Sequence, residues 1–289
     1  MIDIVEYANT GMIRSLCVEI EMPPEVTEQI VYHAGHMDLP GLAPFLDKMF
    51  SMETAVEAQK ALHEYCGDAH SGLDELAFFL AAALHTREIY AAKGINDGVY
   101  VDTMKMFTRF VNEHMASFGK YGFDRGYWVT RIISAVLFRL GELEFEMRVL
   151  TEEVPGYGMP GDPVLSVHIP SNARLTRENL DRTYDMARRF FAEYFGDFKY
   201  KYIYTGTWLL SPALKDLLPP GSKILEFQSD YTITAYNEDS NSFMTWVYKR
   251  KYDDYNLLPE TTTLTRNIKR HLLNGGKIGS AHGVLNMKW

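Results

Sequence analysis

The spacing of apolar residues changes its period near residue 122, and this change constrains the fold more than any other feature of the sequence. Before residue 122, apolar side chains recur every three to four residues, as on one face of an amphipathic helix. After it, some stretches alternate apolar and polar residues, which is typical of a half-buried strand. We therefore predict an all-helical first domain, residues 1–122, and a mixed α/β second domain of the α+β kind, residues 123–289.

The first domain is predicted to be a single helical bundle. Residues 73–92, for example, place Leu76, Phe79, Leu80 and Leu84 on one helical face, and a face of this kind has to be buried against other helices. No glycine-rich or Pro/Ser-rich linker interrupts this half. The predicted helices cover residues 24–34, 40–50, 51–65, 73–92 and 97–115.

The second domain is predicted to mix strands and helices without regular alternation. In residues 140–150, Leu143, Phe145, Met147 and Val149 alternate with charged residues, which indicates a strand. A helix at 124–138 precedes this strand. The prediction continues with a strand at 164–169, a helix at 176–194 with Thr176 as its N-cap, a strand at 200–210, a helix at 212–218, a hairpin of 223–236 with 243–250, a helix at 263–273, and a tail or edge strand at 277–285.

The charge is distributed unevenly along the chain. The net charge is -9, but residues 1–122 contain 8 Lys+Arg and 18 Asp+Glu, whereas residues 123–289 contain 21 and 20. An acidic first half would repel nucleic acid and anionic membranes, so neither is an expected partner. The nearly neutral second half would tolerate an anionic cofactor.

The sequence also favours a cytoplasmic protein. Its two cysteines, Cys17 and Cys66, form no CxxC pair, so a disulfide framework is not expected. No apolar run approaches the roughly 18 residues that a transmembrane helix needs. Residues 1–7 are acidic and contain no basic region, so a secretory signal is not expected.

The predicted order of elements in the second half resembles the core of the GNAT superfamily. In that core a strand feeds a cofactor-binding helix, and a further strand and helix and a closing hairpin follow. Several stretches, spread over nearly the whole chain, resemble a family of bacterial acyltransferase-domain proteins with a helical N-terminal domain and a GNAT-like C-terminal domain. These stretches are residues 138–146, 165–170, 207–212, 224–230 and 264–279.

The resemblance implies an acyl-CoA-dependent N-acyltransferase. Such an enzyme passes an acyl group directly from acetyl-CoA or another acyl-CoA to an amine of a small molecule or a peptide. One departure stands out: the superfamily's pyrophosphate loop reads Q/R-x-x-G-x-G/A, but residues 168–178 here contain no glycine. The alternative is therefore a catalytically degenerate GNAT-like protein that binds a ligand or a partner.

The expected cofactor site is the junction between the strand at 164–169 and the helix at 176–194. The N-terminus of a helix presents unpaired N–H groups and a partial positive charge, and it can bind phosphates without a special motif. Backbone at the end of the strand would hold the pantetheine arm, as the resemblance implies. An ordinary strand-to-helix turn is the alternative. The predicted cofactor-binding residues are Val167, His168, Ile169, Ser171, Asn172, Arg174 and Thr176.

Glu144 and His168 are the predicted catalytic residues. Glu142, Glu144 and Glu146 lie roughly 7 Å apart on one face of a predicted strand, where they could attract and deprotonate an amine. Imidazole is a frequent general base near neutral pH. The alternatives are a solvated strand face for the glutamates and a histidine bonded to backbone for His168.

Five residues are predicted to bind the acyl group or the acceptor. In the superfamily, the strand after the cofactor helix borders these sites, and the resemblance places Thr205 and Trp208 there. The alternatives are a core position for Trp208 and structural hydrogen bonds for the two polar residues at 228 and 230. The predicted substrate-binding residues are Glu142, Thr205, Trp208, Gln228 and Asp230.

The histidines of the first half raise the possibility of a metal site. His33 and His36 could share a helix face, and His63 precedes Cys66 by three residues. Neither HExxH nor CxxC accompanies them, so no metal is expected. Cys66 is not expected to be a nucleophile, because nothing in the sequence supplies a positioned base.

Overall fold

A computed structural model describes residues 2–286. The chain forms two compact units that divide between Arg139 and Leu140. The predicted boundary at residue 122 lies ahead of this division. The difference arises because the helix Gly126–Ile133 packs with helices of the first unit.

The described part of the first unit is helical, as predicted, except for its last residues, which belong to a strand. Residues 50–115 contain no strand. Two helices at the start, which the sequence analysis did not predict, precede the five that it did. The helices are α1 (Ile4–Tyr7), α2 (Thr10–Glu19), α3 (Pro24–Gly35), α4 (Leu39–Leu46), α5 (Met52–Cys66), α6 (Leu73–Ala92), α7 (Asp97–Phe118) and α8 (Gly126–Ile133).

Helix α6 is the centre of the first unit. It buries an uninterrupted run from Glu75 to Leu84, and α3, α2, α8 and α7 pack around it. A helix that is apolar on all sides belongs in the middle of a bundle rather than on its surface. Side chains cap the neighbouring helices: Ser51 accepts from the backbone N–H of Glu53 in α5, and Asn96 accepts from Gly98 in α7.

Within residues 2–286, none of the helices combines the length and the apolar character that crossing a membrane requires.

The sheet is mixed and has the strand order β1-β2-β3-β4-β6-β5. Strands β3 and β4 run parallel, whereas β2 with β3, β4 with β6, and β5 with β6 run antiparallel. This arrangement confirms the predicted fold class. The strands are β1 (Leu137–Leu140), β2 (Leu143–Val149), β3 (Pro163–His168), β4 (Ile203–Thr207), β5 (Tyr231–Asn237) and β6 (Ser280–Leu285).

Helices α9 (Arg177–Tyr194), α10 (Leu214–Leu217), α11 (Lys223–Ser229), α12 (Ser242–Val247) and α13 (Thr263–Leu273) complete the second unit. Helix α9 connects β3 to β4, and it packs on the sheet through Phe191, whose ring centroid lies 6.3 Å from that of Phe145 in β2. Thr176 is its N-cap, as predicted. Helix α13 has the predicted bounds, and a capping box of Thr262 and Thr265 opens it.

The predicted hairpin of residues 223–236 and 243–250 is wrong. The first half of the first segment is helix α11, and most of the second segment is helix α12. Phe243 and Met244 with Tyr248 have the four-residue spacing of a buried helical face. Short apolar runs fit either period, so tertiary packing decides the outcome. Strand β5 starts only at Tyr231, and its partner is β6.

The prediction of a tail or edge strand at 277–285 is also wrong, because it misplaces the strand within the sheet. Strand β6 lies inside the sheet, between β4 and β5. Gly283 permits this position, because a Cβ there would lie 2.7 Å from Leu210 Cδ1 and 3.1 Å from Tyr231 Cβ. A glycine within a strand can thus mark a close approach rather than an edge.

The predicted helix at 124–138 ends early. Helix α8 stops at Ile133, and Ala135 adopts a left-handed conformation with φ of 51° before β1 begins at Leu137. A left-handed residue reverses the chain and cannot continue a right-handed helix.

Candidate functional site

Strands β3 and β4 separate at Val167 and Thr205. Among the described residues, their backbone pairing runs through Leu165–Ile203 and Ser166–Tyr204 and then stops. The next bond comes from a side chain: the Thr205 hydroxyl donates to the carbonyl of Val167 over 2.7 Å. Thr205 is fully buried. The backbone ladder between the two parallel strands therefore ends just before His168, and we refer to this place as the opening between β3 and β4.

A band of acidic residues lies on one face of the sheet next to this opening. Glu144 and Glu146 are 2 % and 4 % exposed, so the alternative of a solvated strand face is wrong. Glu144 stands directly opposite His168 in the β2–β3 register, and Glu146 stands opposite Ser166. Directly opposite residues share a face, so all four side chains lie on the same side. Helix α9 covers the other side, where Phe145 points.

His168 is bonded to a carboxylate. Its Nε2 lies 2.7 Å from Glu146 Oε2, and both side chains are largely buried. The carboxylate in this bond belongs to Glu146, whereas Glu144 was the carboxylate predicted to be catalytic. A carboxylate that accepts from one ring nitrogen fixes the ring orientation and leaves the basic lone pair on the other nitrogen. The pair thus has the arrangement of a histidine base and its orienting acid.

Glu142 organises the loop between β3 and α9. Its carboxylate accepts from the backbone N–H of Arg174 at 2.8 Å, from Arg174 Nε at 3.2 Å and from Asn179 Nδ2 at 3.2 Å. Its own N–H donates to Thr183 Oγ1. These contacts connect the end of β1 to the first turns of α9 and hold the loop 170–176 in place.

The N-terminus of α9 has an exposed cationic side chain beside it. The Arg174 side chain is 77 % exposed, although its Nε contacts Glu142. Thr176 Oγ1 accepts from the backbone N–H of Asn179. Ser171 and Asn172 are exposed in the preceding turn. A loop with this composition at the start of an 18-residue helix has the properties of an anion-binding site.

Trp208 and Gln228, which were predicted to lie in strands, lie outside the strands of the structure. Strand β4 ends at Thr207, and Trp208 starts a 3-10 turn and packs on the apolar cluster around Phe243. Gln228, in α11, donates from Nε2 to the carbonyls of Leu209 and Ser211. Within residues 2–286 its buried Oε1 has no hydrogen-bond partner, so it can accept one bond from a ligand or a water molecule.

Asp230 is bonded to the start of α9. It follows the end of α11, and its Oδ1 accepts from Arg177 Nη1 at 2.6 Å. The hydroxyl of Tyr184 lies 3.4 Å from its Oδ2. Burial raises the pKa of Tyr184 and of its neighbour Tyr231, so both remain neutral hydroxyls. These contacts hold the Asp230 carboxylate in place and indicate a structural role for it.

The predicted site residues therefore fall into two groups. The end of β3, the glutamates of β2, Thr205 and the loop 170–176 come together around the opening between β3 and β4. Trp208, Gln228 and Asp230 lie on elements that follow β4. The sequence analysis missed the specific partnership of Glu146 with His168. The only signal for it is the strand register, which a single sequence does not reveal.

The family comparisons agree with this geometry. A family model described as the GNAT-like C-terminal domain matches residues 137–285. The chain belongs to this GNAT-like family. A second model, described as the N-acyltransferase N-terminal domain, matches residues 12–135. Together the two matches describe a GNAT-like acyltransferase with a helical N-terminal domain, as the sequence resemblance indicated.

Solved structures share the fold of this GNAT-like chain. An acyltransferase in complex with decanoyl-CoA is 22 % identical and has a TM-score of 0.78, and the match covers 95 % of this chain and 87 % of that one. An acyltransferase with decanoyl-CoA and teicoplanin is 24 % identical, with a TM-score of 0.75 and coverage of 94 % and 86 %. None of the proteins of curated function matches the sequence.

Proposed function

We propose that the chain is an acyl-CoA-dependent N-acyltransferase that transfers an acyl group directly to an amine of its acceptor. The observation that carries the proposal is the 2.7 Å bond between His168 Nε2 and Glu146 Oε2. This pair lies at the end of β3, where the parallel strands β3 and β4 part. A positioned base is therefore next to the place where, in this proposal, an extended substrate arm lies.

The gap between the strands supports binding of the pantetheine arm. Beyond Ser166–Tyr204, the edge of β3 that faces β4 is no longer engaged in the backbone ladder. An amide-containing chain can lie along such an edge as an added strand does, because its N–H and C=O groups match those of the backbone. The Val167 carbonyl already accepts from Thr205, and its second lone pair remains for an amide of the ligand. In this proposal Val167, His168 and Ile169 hold the arm.

The start of α9 supports binding of the pyrophosphate. The loop 170–176 precedes the N-terminus of the helix and carries the hydroxyl of Ser171, the amide of Asn172 and the guanidinium of Arg174. Each is a donor that suits phosphate oxygens. Thr176 and Glu142 act as positioning residues, since Thr176 caps the helix and Glu142 fixes the backbone of Arg174. In this proposal the contacts of Glu142 and Thr176 position the loop 170–176 and take the place of the glycines in the superfamily's pyrophosphate loop.

The proposed reaction has one bond-forming and one bond-breaking step. The amine nitrogen attacks the thioester carbonyl carbon, a C–N bond forms, and the C–S bond then breaks to release CoA as a thiolate that takes up a proton. The neutral amine loses one proton as it attacks, and His168, which Glu146 orients through Nε2, accepts this proton and returns it to the departing thiolate. Glu146 stabilises the imidazolium that results. Glu144, buried opposite His168 on the neighbouring strand, is the second candidate for the proton acceptor in this proposal.

We base the proposed acyl donor and acceptor on the ligands of the similar structures. Complexes of those proteins contain decanoyl-CoA, octanoyl-CoA and teicoplanin. We therefore extend the donors from acetyl-CoA to medium-chain acyl-CoA, and the acceptors from small amines and peptides to an amine on a glycopeptide. The acceptor-side residues in this proposal are Thr205 at the gap and, further along the chain, Trp208, Gln228 and Asp230.

The first experiment measures binding and turnover with the full chain. Acetyl-, octanoyl- and decanoyl-CoA are titrated by calorimetry and by thermal shift, and a ligand that binds only the native state raises the melting temperature. Release of free CoA thiol is then followed with a panel of amines. His168→Gln should lower turnover about 100- to 10,000-fold and leave acyl-CoA affinity unchanged. His36→Gln, which changes an exposed histidine directly after α3, is the control.

Three outcomes are informative. Turnover that depends on His168 supports the enzyme. An absence of acyl-CoA binding in both assays contradicts the proposal. Binding without turnover of any amine favours the second candidate, a GNAT-like protein that binds its ligand without catalysis, and the glycine-free loop at 168–178 is the observation in its favour.

A further inference from the structure

The first unit contains a cluster of two histidines and an aspartate that the proposed acyl transfer does not use. His33 Nδ1 lies 2.7 Å from Asp74 Oδ1, and His70 Nδ1 lies 2.5 Å from Asp74 Oδ2. The two imidazole rings are 4.8 Å apart between centroids. One donor atom from each of the three residues lies within 4.8 Å of the other two. Three side chains with metal-binding atoms thus converge on one point.

The backbone between α5 and α6 builds this cluster. Ser71 and Gly72 are both left-handed, with φ of 53° and 77°, and non-glycine residues rarely adopt that conformation. The N–H of Phe123 donates to the carbonyl of Ser71, and a Cβ at Gly72 would collide with the carbonyl oxygen of Phe123. The locked turn holds His70 over the first turn of α6, where Asp74 lies.

The cluster opens into a cavity of about 460 Å³. Glu25, Gln29 and His33 follow one another at four-residue steps along α3 and line one wall. His70 lies on a second wall, and Lys120 and Tyr121, after α7, lie on a third. Both histidines therefore face a space that is large enough for an ion with its water or for a small molecule.

We propose that His33, His70 and Asp74 form a binding site for a divalent transition-metal ion of the zinc class. Two imidazoles and one carboxylate are the ligands that Zn²⁺ prefers, whereas Mg²⁺ and Ca²⁺ prefer oxygen ligands alone. Three protein ligands leave one position of a tetrahedral ion open towards the cavity. Zinc sites that bind a water molecule or a substrate have this arrangement, and purely structural sites usually have four protein ligands.

The geometry requires little movement. In a tetrahedral zinc site with bonds of about 2.0 Å, neighbouring ligand atoms are roughly 3.3 Å apart. The two nitrogen–oxygen distances, which involve different oxygens of Asp74, are 2.7 and 2.5 Å, and the three donor atoms lie within 4.8 Å of one another. The side chains therefore have to shift by about 1 to 2 Å to reach tetrahedral spacing. His33 is on a helix that packs against α6, and His70 is on the turn that precedes α6. A bound ion would therefore connect α3 to the start of α6 and stabilise the fold.

The spacing of the residues explains why the sequence analysis expected no metal. The pairs considered there bind elsewhere: His36 Nδ1 contacts the Tyr32 carbonyl, and His63 Nδ1 contacts Glu75. His33 and Asp74 lie 41 positions apart in the sequence. No local motif can join them, and only the packing of α3 against α6 does.

The test uses the full chain after treatment with a chelator. Zn²⁺ is titrated by calorimetry, Co²⁺ is titrated by absorption spectroscopy, and the melting temperature is followed with and without metal. We expect one ion per chain with micromolar or tighter affinity, a tetrahedral Co²⁺ spectrum, and a higher melting temperature with metal. Mg²⁺ should not compete.

His70→Gln and Asp74→Asn should each weaken zinc binding at least tenfold, whereas His36→Gln should bind as the parent does. His70 is 55 % exposed on its side chain, so its variant should fold, and its melting temperature without metal checks this. Two results would overturn the proposal: no binding at about 100 µM Zn²⁺ by the parent chain, or unchanged affinity in both ligand variants. All of these readouts are independent of acyltransferase activity.

Discussion

His168 bonds diagonally across the sheet to Glu146, 2.7 Å away, although its direct partner on the neighbouring strand is Glu144. The two glutamates differ by one two-residue step along β2, and both are buried. They nevertheless have different positions relative to the imidazole. We assign Glu146 as the residue that positions His168 and Glu144 as a neighbouring carboxylate. A substitution at each residue tests this assignment.

Glu146→Gln should lower kcat about 10- to 1,000-fold and leave acyl-CoA affinity unchanged, because the amide cannot stabilise the imidazolium that forms on His168. The acidic limb of the kcat–pH profile should also move to lower pH, since the protonated ring loses its counter-charge. A merely structural role would not move that limb. Glu144→Gln should affect turnover less, and Glu152→Gln, at an exposed loop position, is the control. Equal effects at residues 144 and 146 would contradict the assignment.

Much of the fold could be predicted from local periodicity. The long apolar stretch of α6, 20 residues, and the amphipathic pattern of α13, 11 residues, both form helices with the predicted bounds. Residues 223–250 gave a wrong prediction, because short apolar runs such as those of α11 and α12 fit either period and only packing decides between them.

The site was predictable in its residue types but not in its pairings. The turn from β3 into α9 could be located from the strand pattern and the N-cap Thr176. The contacts of Glu146 with His168, of Glu142 with Arg174 and of Asp230 with Arg177 depend on strand register and on the closing of loops. Such long-range geometry leaves no local trace in the sequence.

Thr205→Val should lower the free energy of unfolding by about 1–3 kcal/mol. The variant keeps the shape of the side chain but leaves the buried carbonyl of Val167 without the hydroxyl that now donates to it over 2.7 Å. Thr205→Ser keeps the hydroxyl and should lose less. Urea unfolding of the three proteins measures the difference. A loss in Thr205→Ser with no loss in Thr205→Val would show that the methyl group matters, and not the hydrogen bond to Val167.

Both cysteines should resist alkylation in the native protein. Burial raises the pKa of Cys17 to about 11, and burial together with the charges of Glu75 and Asp74 raises the pKa of Cys66 to about 12. The reactive form is the thiolate. At pH 8 a pKa of about 11 leaves roughly 0.1 % thiolate, against about a quarter for an ordinary thiol. Iodoacetamide labelling followed by mass spectrometry should therefore modify both residues only after unfolding. Fast labelling of native Cys66 would contradict the expectation that it is not a nucleophile.

Arg174→Ala should weaken binding of CoA and acyl-CoA about 10- to 100-fold, because hydrogen bonds between charged groups are worth roughly 1.5–3 kcal/mol. The side chain is 77 % exposed beside the N-terminus of α9, so the melting temperature without ligand should change little. Acyl-pantetheine, which lacks the pyrophosphate, should bind parent and variant equally well, since Arg174 has no role at the opening between β3 and β4.

Arg188→Ala is the matched control for this prediction, because Arg188 is an exposed arginine further along α9 that contacts Asp185. It should bind CoA as the parent does. If the Arg174 variant loses affinity for CoA and for acyl-pantetheine alike, the loop 170–176 has collapsed and no phosphate contact has been measured. If neither affinity changes, the pyrophosphate binds elsewhere, and the anion site at the start of α9 is excluded. Only a loss confined to the ligand with phosphates supports the proposed site.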